Sequence, residues 1–557
     1  MKGFRSYPNR RCLKLPPSVL HGTPISPGYA QGLAHVQSDL ILAIDDIQAN
    51  TPFDAEMEFG RLESATATIS NDLLELAVRV GKELDSHLAG VFDVHNQIAN
   101  DHLLKLELRK EIVENFVTAG SAVRSVFMRW EKRFIRMESM ISKEKCDDFR
   151  DVSIRLRNAL SGITSHALEN IPEGCVLVIQ RLLPSDTIYL NSRSTAAVLL
   201  EQGTMGSHAA LFARQLGIPC ISDIPDIQRV FESGMFVMVD ASAGTASINP
   251  DRNARAIFHK LARQNSSKMS YAKKHSREPA ITQDKILIKV NANIGGCEDS
   301  RNALECGADG IGLYRLEQFY IGRSTPPSTD EVREELRETL LPFKGKSICI
   351  RLLDLGSDKQ LPFIGFRSET NPALGLRGVR LMRRYPELLN TQLQAILQLK
   401  DEFDVQILIP MVATEEDVIF VRNALEKQCA DLSSPLPKLG AMIETPAAAL
   451  SASKIAPHVD FMSFGTNDLT QYAFAADREN AEVGDYYNDT SDVIFRLIKL
   501  VHRDLPTMPL SICGELAGRD KYASRLIECG IRTLSVAPPL IPAVKKAVRS
   551  VQLGKPE

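Results

Sequence analysis

At 557 residues the chain has length for about three ordinary domains, or fewer if one is a large barrel, and 44% hydrophobic with 24% charged residues is the balance of a globular protein. A formal net charge of -3 excludes a polyanion-seeking role, so no nucleic-acid partner is expected. Ten cysteines without a CxxC pair, and no run of about 18 uncharged apolar residues, exclude a disulfide scaffold and membrane insertion and lead to the expectation of a reduced, cytoplasmic protein.

In chain order, residues 1–17 are basic but lack an apolar stretch, and read as a flexible tail rather than a secretion signal. Residues 18–47 hold short β-like runs around the turn SPG at 26–28. Residues 48–160 change to long, charged, amphipathic segments almost free of proline, the pattern of a helical bundle. Strand-like runs return over 161–250, with CVLVIQRLLP, AAVLLEQ and MFVMVDAS around a helical AALFARQLG. The simplest architecture is one α/β domain, 18–47 plus 161–250, with the bundle inserted into it. Residues 251–282 read as a linker helix, because 251–278 carries eight Lys/Arg against two acidic residues, a solvated face.

From 283 to 557 the apolar runs KILIKVNAN, DGIGLYR, SICIRLLD, VQILIPM, LGAMIE, FMSFGTND, PLSICGE and RTLSVA alternate with helical patterns. Eight strand–helix repeats fit a (β/α)8 barrel of about 250 residues. Such barrels collect reactive side chains at the carboxyl ends of their strands. Here those positions hold Asn293, Arg315, Glu317, Arg351, Asp354, Glu444, Asn467, Asp468, Cys513 and Glu515.

The chemistry of that set is specific. Guanidinium forks at Arg315 and Arg351 suit a dianionic phosphate ester. Glu444 and Asp468 are hard oxygen donors of the kind Mg2+ takes in small number beside substrate oxygens and water. Cys513 is expected to stand at the mouth as a proton donor to carbon. Other assignments stay open: Glu444 and Asp468 as helix caps, and the arginines as ion-pair partners of Glu317 or Asp354. In the α/β domain, EQGTMGSHAALFARQLGIPC at 201–220 sets His208 at a helix start, where backbone N–H groups favour a phosphate on the imidazole. A plain capping turn by Ser207 fits the same residues.

IGLYRLE, IRLLDLGSDK, TNPALGLRGVR, GAMIETPAAA, FGTNDLTQYAFAADREN and ICGELAG together resemble enzyme I of the phosphoenolpyruvate-dependent phosphotransferase system, over about residues 18–550. That resemblance implies a swivelling phosphohistidine domain, an inserted bundle that docks the phosphocarrier HPr or a relative, and a phosphoenolpyruvate-binding barrel that usually dimerises. It implies that His208 is phosphorylated, that Arg315, Arg351, Asn467, Asp468 and Arg478 contact substrate, that Glu444 and Asp468 hold Mg2+, and that Cys513 protonates the enolate carbon. The strand-end reading omits Arg478.

The chain departs from the family pattern at several points. Thr204, Met205 and Gly206 precede Ser207 where the family has Gly-Gly-x-Thr-Ser-His. Leu316 stands for a threonine, Thr370 for a glutamate, and the chain ends at 557, short of a common further helix. Two other readings therefore stand beside the first: a catalytically weakened regulatory paralogue that binds HPr or phosphoenolpyruvate, and a pyruvate phosphate dikinase or phosphoenolpyruvate synthase relative. The second needs a nucleotide-binding domain, and the region before His208 has no glycine-rich phosphate loop.

Overall fold

The computed structural model describes residues 18–553 except 38–51, 84, 85, 137–139, 164, 165, 167, 170, 184, 187, 188, 191–194, 204–212, 214, 215, 322, 357–360, 362, 367, 368, 479 and 480. The chain forms two compact units, Met1–Gln264 and Asn265–Glu557, and the division falls within the basic helix Arg252–Lys274.

The first unit is built on a sheet of β1 (Ser18–His21), β2 (Thr23–Ser26), β3 (Tyr29–Gln37), β4 (Val176–Ile179), β5 (Ala197–Leu200), β6 (Cys220–Ser222), β7 (Phe236–Asp240) and β8 (Thr245–Ile248), in the order β1-β8-β7-β3-β4-β5-β6-β2. Strands β3 to β6 run parallel, and antiparallel strands flank them on both sides. Central strands of this kind are apolar on both faces, which is why VLVI and AVLL show no alternation. Leu177, Ile179, Val198 and Leu200 face one core, and Val176, Val178, Ala197 and Leu199 face the other.

Strands β3 and β4 are neighbours in the sheet, yet the whole helical region lies between them in sequence. Among the described residues five helices fill it: α1 (Pro52–Glu83), α2 (Ser86–Ala99), α3 (His102–Asn115), α4 (Ala119–Arg136) and α5 (Met140–Leu160). In α3 the buried residues Leu104, Leu108 and Ile112 recur every four positions and pack with Val123, Phe127, Val152 and Leu156. Asp101 caps α3 by accepting from the Leu104 N–H at 2.8 Å, and Glu58 of α1 accepts from the Ala119 N–H at 2.9 Å, serving the open start of α4. The bundle is tied to the α/β unit through α5. Asp147 pairs with Arg181 at 2.5 Å, and Asp151 accepts from the Ser185 N–H at 3.0 Å.

The second unit closes into a barrel. Its strands are β10 (Leu287–Ile294), β11 (Ile311–Arg315), β12 (Ser347–Arg351), β13 (Asp404–Ile409), β14 (Lys438–Ile443), β15 (Phe461–Phe464), β16 (Leu510–Ile512) and β17 (Thr533–Val536). Each pairs in parallel with the next, and β10 bonds to both β17 and β11. These are the eight expected runs. A short β9 (Ala280–Ile281) adds antiparallel to the start of β10. At the amino end of the barrel the fully buried Lys545 is held by Asp309 at 2.6 Å and by the Gly307 carbonyl at 2.7 Å, so that end is closed by a compensated charge.

Candidate active site

The carboxyl ends of the barrel strands gather most of the residues singled out in the sequence. Arg315 and Arg351 end β11 and β12 and stand opposite each other in register. Arg351 pairs with Glu317 at 2.9 Å and with Asp354 at 3.2 Å, so the ion-pair assignment is realised for this arginine. Its buried Nε has no hydrogen-bond partner among the described residues. Arg315 is solvent-reached, and crowding by protein together with the Arg351 charge lowers its pKa. Arg351, buried against Glu317 and Asp354, is raised instead because those carboxylates outweigh the burial.

Glu444 follows β14 and is 1% exposed. It caps nothing: Thr445 accepts from the Ala448 N–H at 3.1 Å, whereas Glu444 accepts from the Met411 N–H at 2.5 Å. Burial, then the nearby charges of Asp468 and Asp354, push its carboxyl up to about 8. Gly465 makes room for this group, since a Cβ there would come within 2.8 Å of Glu444 Oε2. Asp468 lies in the first turn of the helix Thr466–Phe474, whose start has no side-chain cap, and its carboxylate accepts from Arg377 at 3.3 Å rather than from the helix.

Arg377 was not anticipated from the sequence. It donates to Asp354 from Nε at 3.1 Å and from Nη2 at 2.9 Å, and its Nη1 reaches both Asp468 and the Tyr472 hydroxyl, the latter at 3.4 Å. The next residue, Gly378, has φ +56°, and a Cβ there would lie 2.8 Å from Met411. The residue comes from a loop after a short 3-10 turn, Pro372–Leu374, and no strand pattern marks it. Arg478 likewise lies beyond its helix. Its backbone N–H donates to Gln471 at 3.2 Å, and its charge is felt at Arg315 and Tyr487.

Asn467 faces across to the next strand end, where its Oδ1 accepts from the Glu515 N–H at 2.9 Å. Cys513 sits at the carboxyl end of β16, but the expectation of a thiol standing open at the mouth is corrected: it is 3% exposed and packs with Leu313, Cys349, Leu408 and Met442 inside the barrel wall. Burial pushes this thiol up to about 11, so it keeps its proton at neutral pH. Arg351, Arg315 and Glu444 all act on it electrostatically, which fixes it as part of the same cluster. His208 and the turn before it, from residue 204, lie outside the described residues.

Among the described residues no three His, Cys, Asp or Glu side chains converge as a ready metal cage, and no helix is long and apolar enough to cross a membrane. The donors still fit Mg2+. Burial first, and then the neighbouring Asp468 charge, disfavour the ionised form of Glu444, and a divalent cation beside the two carboxylates would offset both with hard oxygen ligands.

Comparison with known proteins gives three consecutive family matches, described as PEP-utilising enzyme, N-terminal, at 21–145; PEP-utilising enzyme, mobile domain, at 171–244; and PEP-utilising enzyme, PEP-binding domain, at 270–553. A phosphoenolpyruvate-protein phosphotransferase of Haloferax volcanii is 34% identical over 500 residues, 88% of this chain and 86% of its own length. Proteins of the same name from Geobacillus stearothermophilus and Listeria innocua are 33% and 31% identical, covering 94% and 93% of this chain and 92% and 91% of theirs.

Proposed function

Because the chain belongs to the phosphoenolpyruvate-protein phosphotransferases, we propose that it takes the phosphoryl group of phosphoenolpyruvate onto its own His208, releases pyruvate, and passes the phosphate to a histidine of a phosphocarrier protein of the HPr kind. The observation that carries the site is the meeting of Arg315, Arg351 and Arg377 with Glu444, Asp468 and a protonated thiol at one end of the barrel.

Each residue then has a task. Arg315, Arg351 and Arg478 bind the anionic groups of the substrate, with the open Nε of Arg351 available to an oxygen. Asn467 and Arg377 hold the strand ends in register through Glu515, Asp354 and Asp468. Glu444 and Asp468 would hold Mg2+, which when bound supplies positive charge against the charge developing on the phosphoryl group. Neutral His208 attacks phosphorus in line. Cys513 gives its proton to the methylene carbon of the enolate, and the downhill enol-to-keto conversion leaves enough free energy to charge a labile phosphohistidine. The same reading includes a homodimer in the cytoplasm, which sedimentation of the full chain checks.

Labelled phosphoenolpyruvate with Mg2+ is expected to label the protein in an acid-labile manner, and ATP is expected not to substitute. Binding without label would favour the regulatory paralogue, and ATP-driven label the dikinase relative.

A further inference from the structure

Cys513 has a neighbour to which the reaction has so far given no task. Ser463 of β15 is 1% exposed, and its hydroxyl donates to Cys513 Sγ at 3.6 Å. The thiol itself is directed at the Phe464 carbonyl, also at 3.6 Å. On the other side Asn293 Nδ2 donates to the Cys513 carbonyl at 2.9 Å, and Ser535 fixes that amide by donating to its Oδ1 at 2.7 Å. The sulfur is therefore held from β15, and the backbone that carries it from β10.

Its packing neighbours Leu313, Cys349, Leu408 and Met442 are apolar or weakly polar, and the Arg351 and Arg315 charges favour a thiolate without donating a hydrogen bond to the sulfur among the described residues. An acid that gives up its proton here leaves an anion in an apolar wall, and an anion without a donor in such a place is costly. Among the described residues only the Ser463 hydroxyl donates to this sulfur.

We infer that Ser463 is a positioning residue for carbon protonation: its hydroxyl holds the Cys513 sulfur and supplies the hydrogen bond that the departing proton leaves behind. In that step the S–H bond breaks and a C–H bond forms at the methylene carbon. The enolate electron pair takes the proton, the C–O bond becomes a carbonyl, and the thiolate keeps the Ser463 O–H···S⁻ contact until solvent reprotonates it once pyruvate has left. Ser463 loses no proton. The inference rests on Cys513 being the acid of the proposed reaction.

The test uses the full chain with phosphoenolpyruvate and Mg2+ in a single turnover, reading protein label and keto-pyruvate separately, for wild type, Ser463→Ala, Ser463→Thr and Cys513→Ala. Because hydrogen bonds to ionised groups are among the stronger ones, Ser463→Ala should slow pyruvate by about tenfold while the KM for labelling stays put. Ser463→Thr, which keeps the hydroxyl, should recover most of that loss. The pH profile of Cys513 alkylation by iodoacetamide should move up in Ser463→Ala by about one pH unit, a shift that mere packing would not cause. Wild-type pyruvate rate and an unmoved alkylation profile in Ser463→Ala, with Cys513→Ala slow, would overturn the role of Ser463 alone. A Cys513→Ala protein that makes pyruvate at the wild-type rate would overturn the thiol and Ser463 together.

Discussion

One carboxylate, Asp354, receives two hydrogen bonds from Arg377 and an ion pair from Arg351, and Arg377 continues to Asp468. Removing this cation takes the Arg377 ion pair from the largely buried Asp468 and leaves Asp354 with Arg351 alone. Arg377→Gln should therefore destabilise the barrel by about 3–5 kcal/mol, read by chemical or thermal unfolding, and lower kcat/KM for phosphoenolpyruvate by roughly a hundredfold. Arg377→Lys should recover little, because a single ammonium cannot span Asp354 and Asp468 as a planar fork does. Full activity in the lysine variant would show that charge alone suffices. The sequence marks Glu444, Asp468, Arg351 and Cys513 because each ends or directly follows an apolar run. It does not mark Arg377 or Arg478, whose long side chains reach the mouth from loops without periodicity. Nor does it mark the depth of Cys513: a strand-end position tells which end of the barrel a residue occupies, not whether its side chain turns into the wall.

At the scale of elements, the eight barrel strands were legible because buried parallel strands are short, continuous apolar runs between helical patterns, and the insertion was legible from a change of period. Less visible were the joints. The acidic face of α5 meets Arg181 and Ser185, and His166 lies beside it, stacked on Tyr189 at 4.1 Å and 3.4 Å from Asp186. Burial lowers His166 to about 4, with Asp151 working in the other direction. A histidine whose folded pKa lies below its ordinary 6.5 contributes stability that is complete above about pH 6.5 and is lost as pH falls through 4. The α/β unit should thus loosen between about pH 6.5 and 4, by roughly 1–3 kcal/mol, read as faster amide exchange in β4 and β5. His166→Gln should flatten that dependence. An unchanged slope in the variant would assign the acid sensitivity to other groups.

At the scale of the whole molecule, the proposed reaction draws on two units of different architecture, with the barrel cluster in Asn265–Glu557 and the proposed acceptor His208 in Met1–Gln264. Neither half accounts for phosphotransfer alone: the barrel cluster can strip a phosphoryl group only if an imidazole receives it, and a histidine at residue 208 has no donor without the barrel. The decisive measurement is mass spectrometry of the full chain after brief exposure to phosphoenolpyruvate and Mg2+, digested without acid. One phosphoryl group is expected on the peptide carrying His208, absent in His208→Ala and strongly reduced in Glu444→Gln. Pyruvate formed with that peptide unmodified, or a phosphoryl group found on another residue, would contradict it.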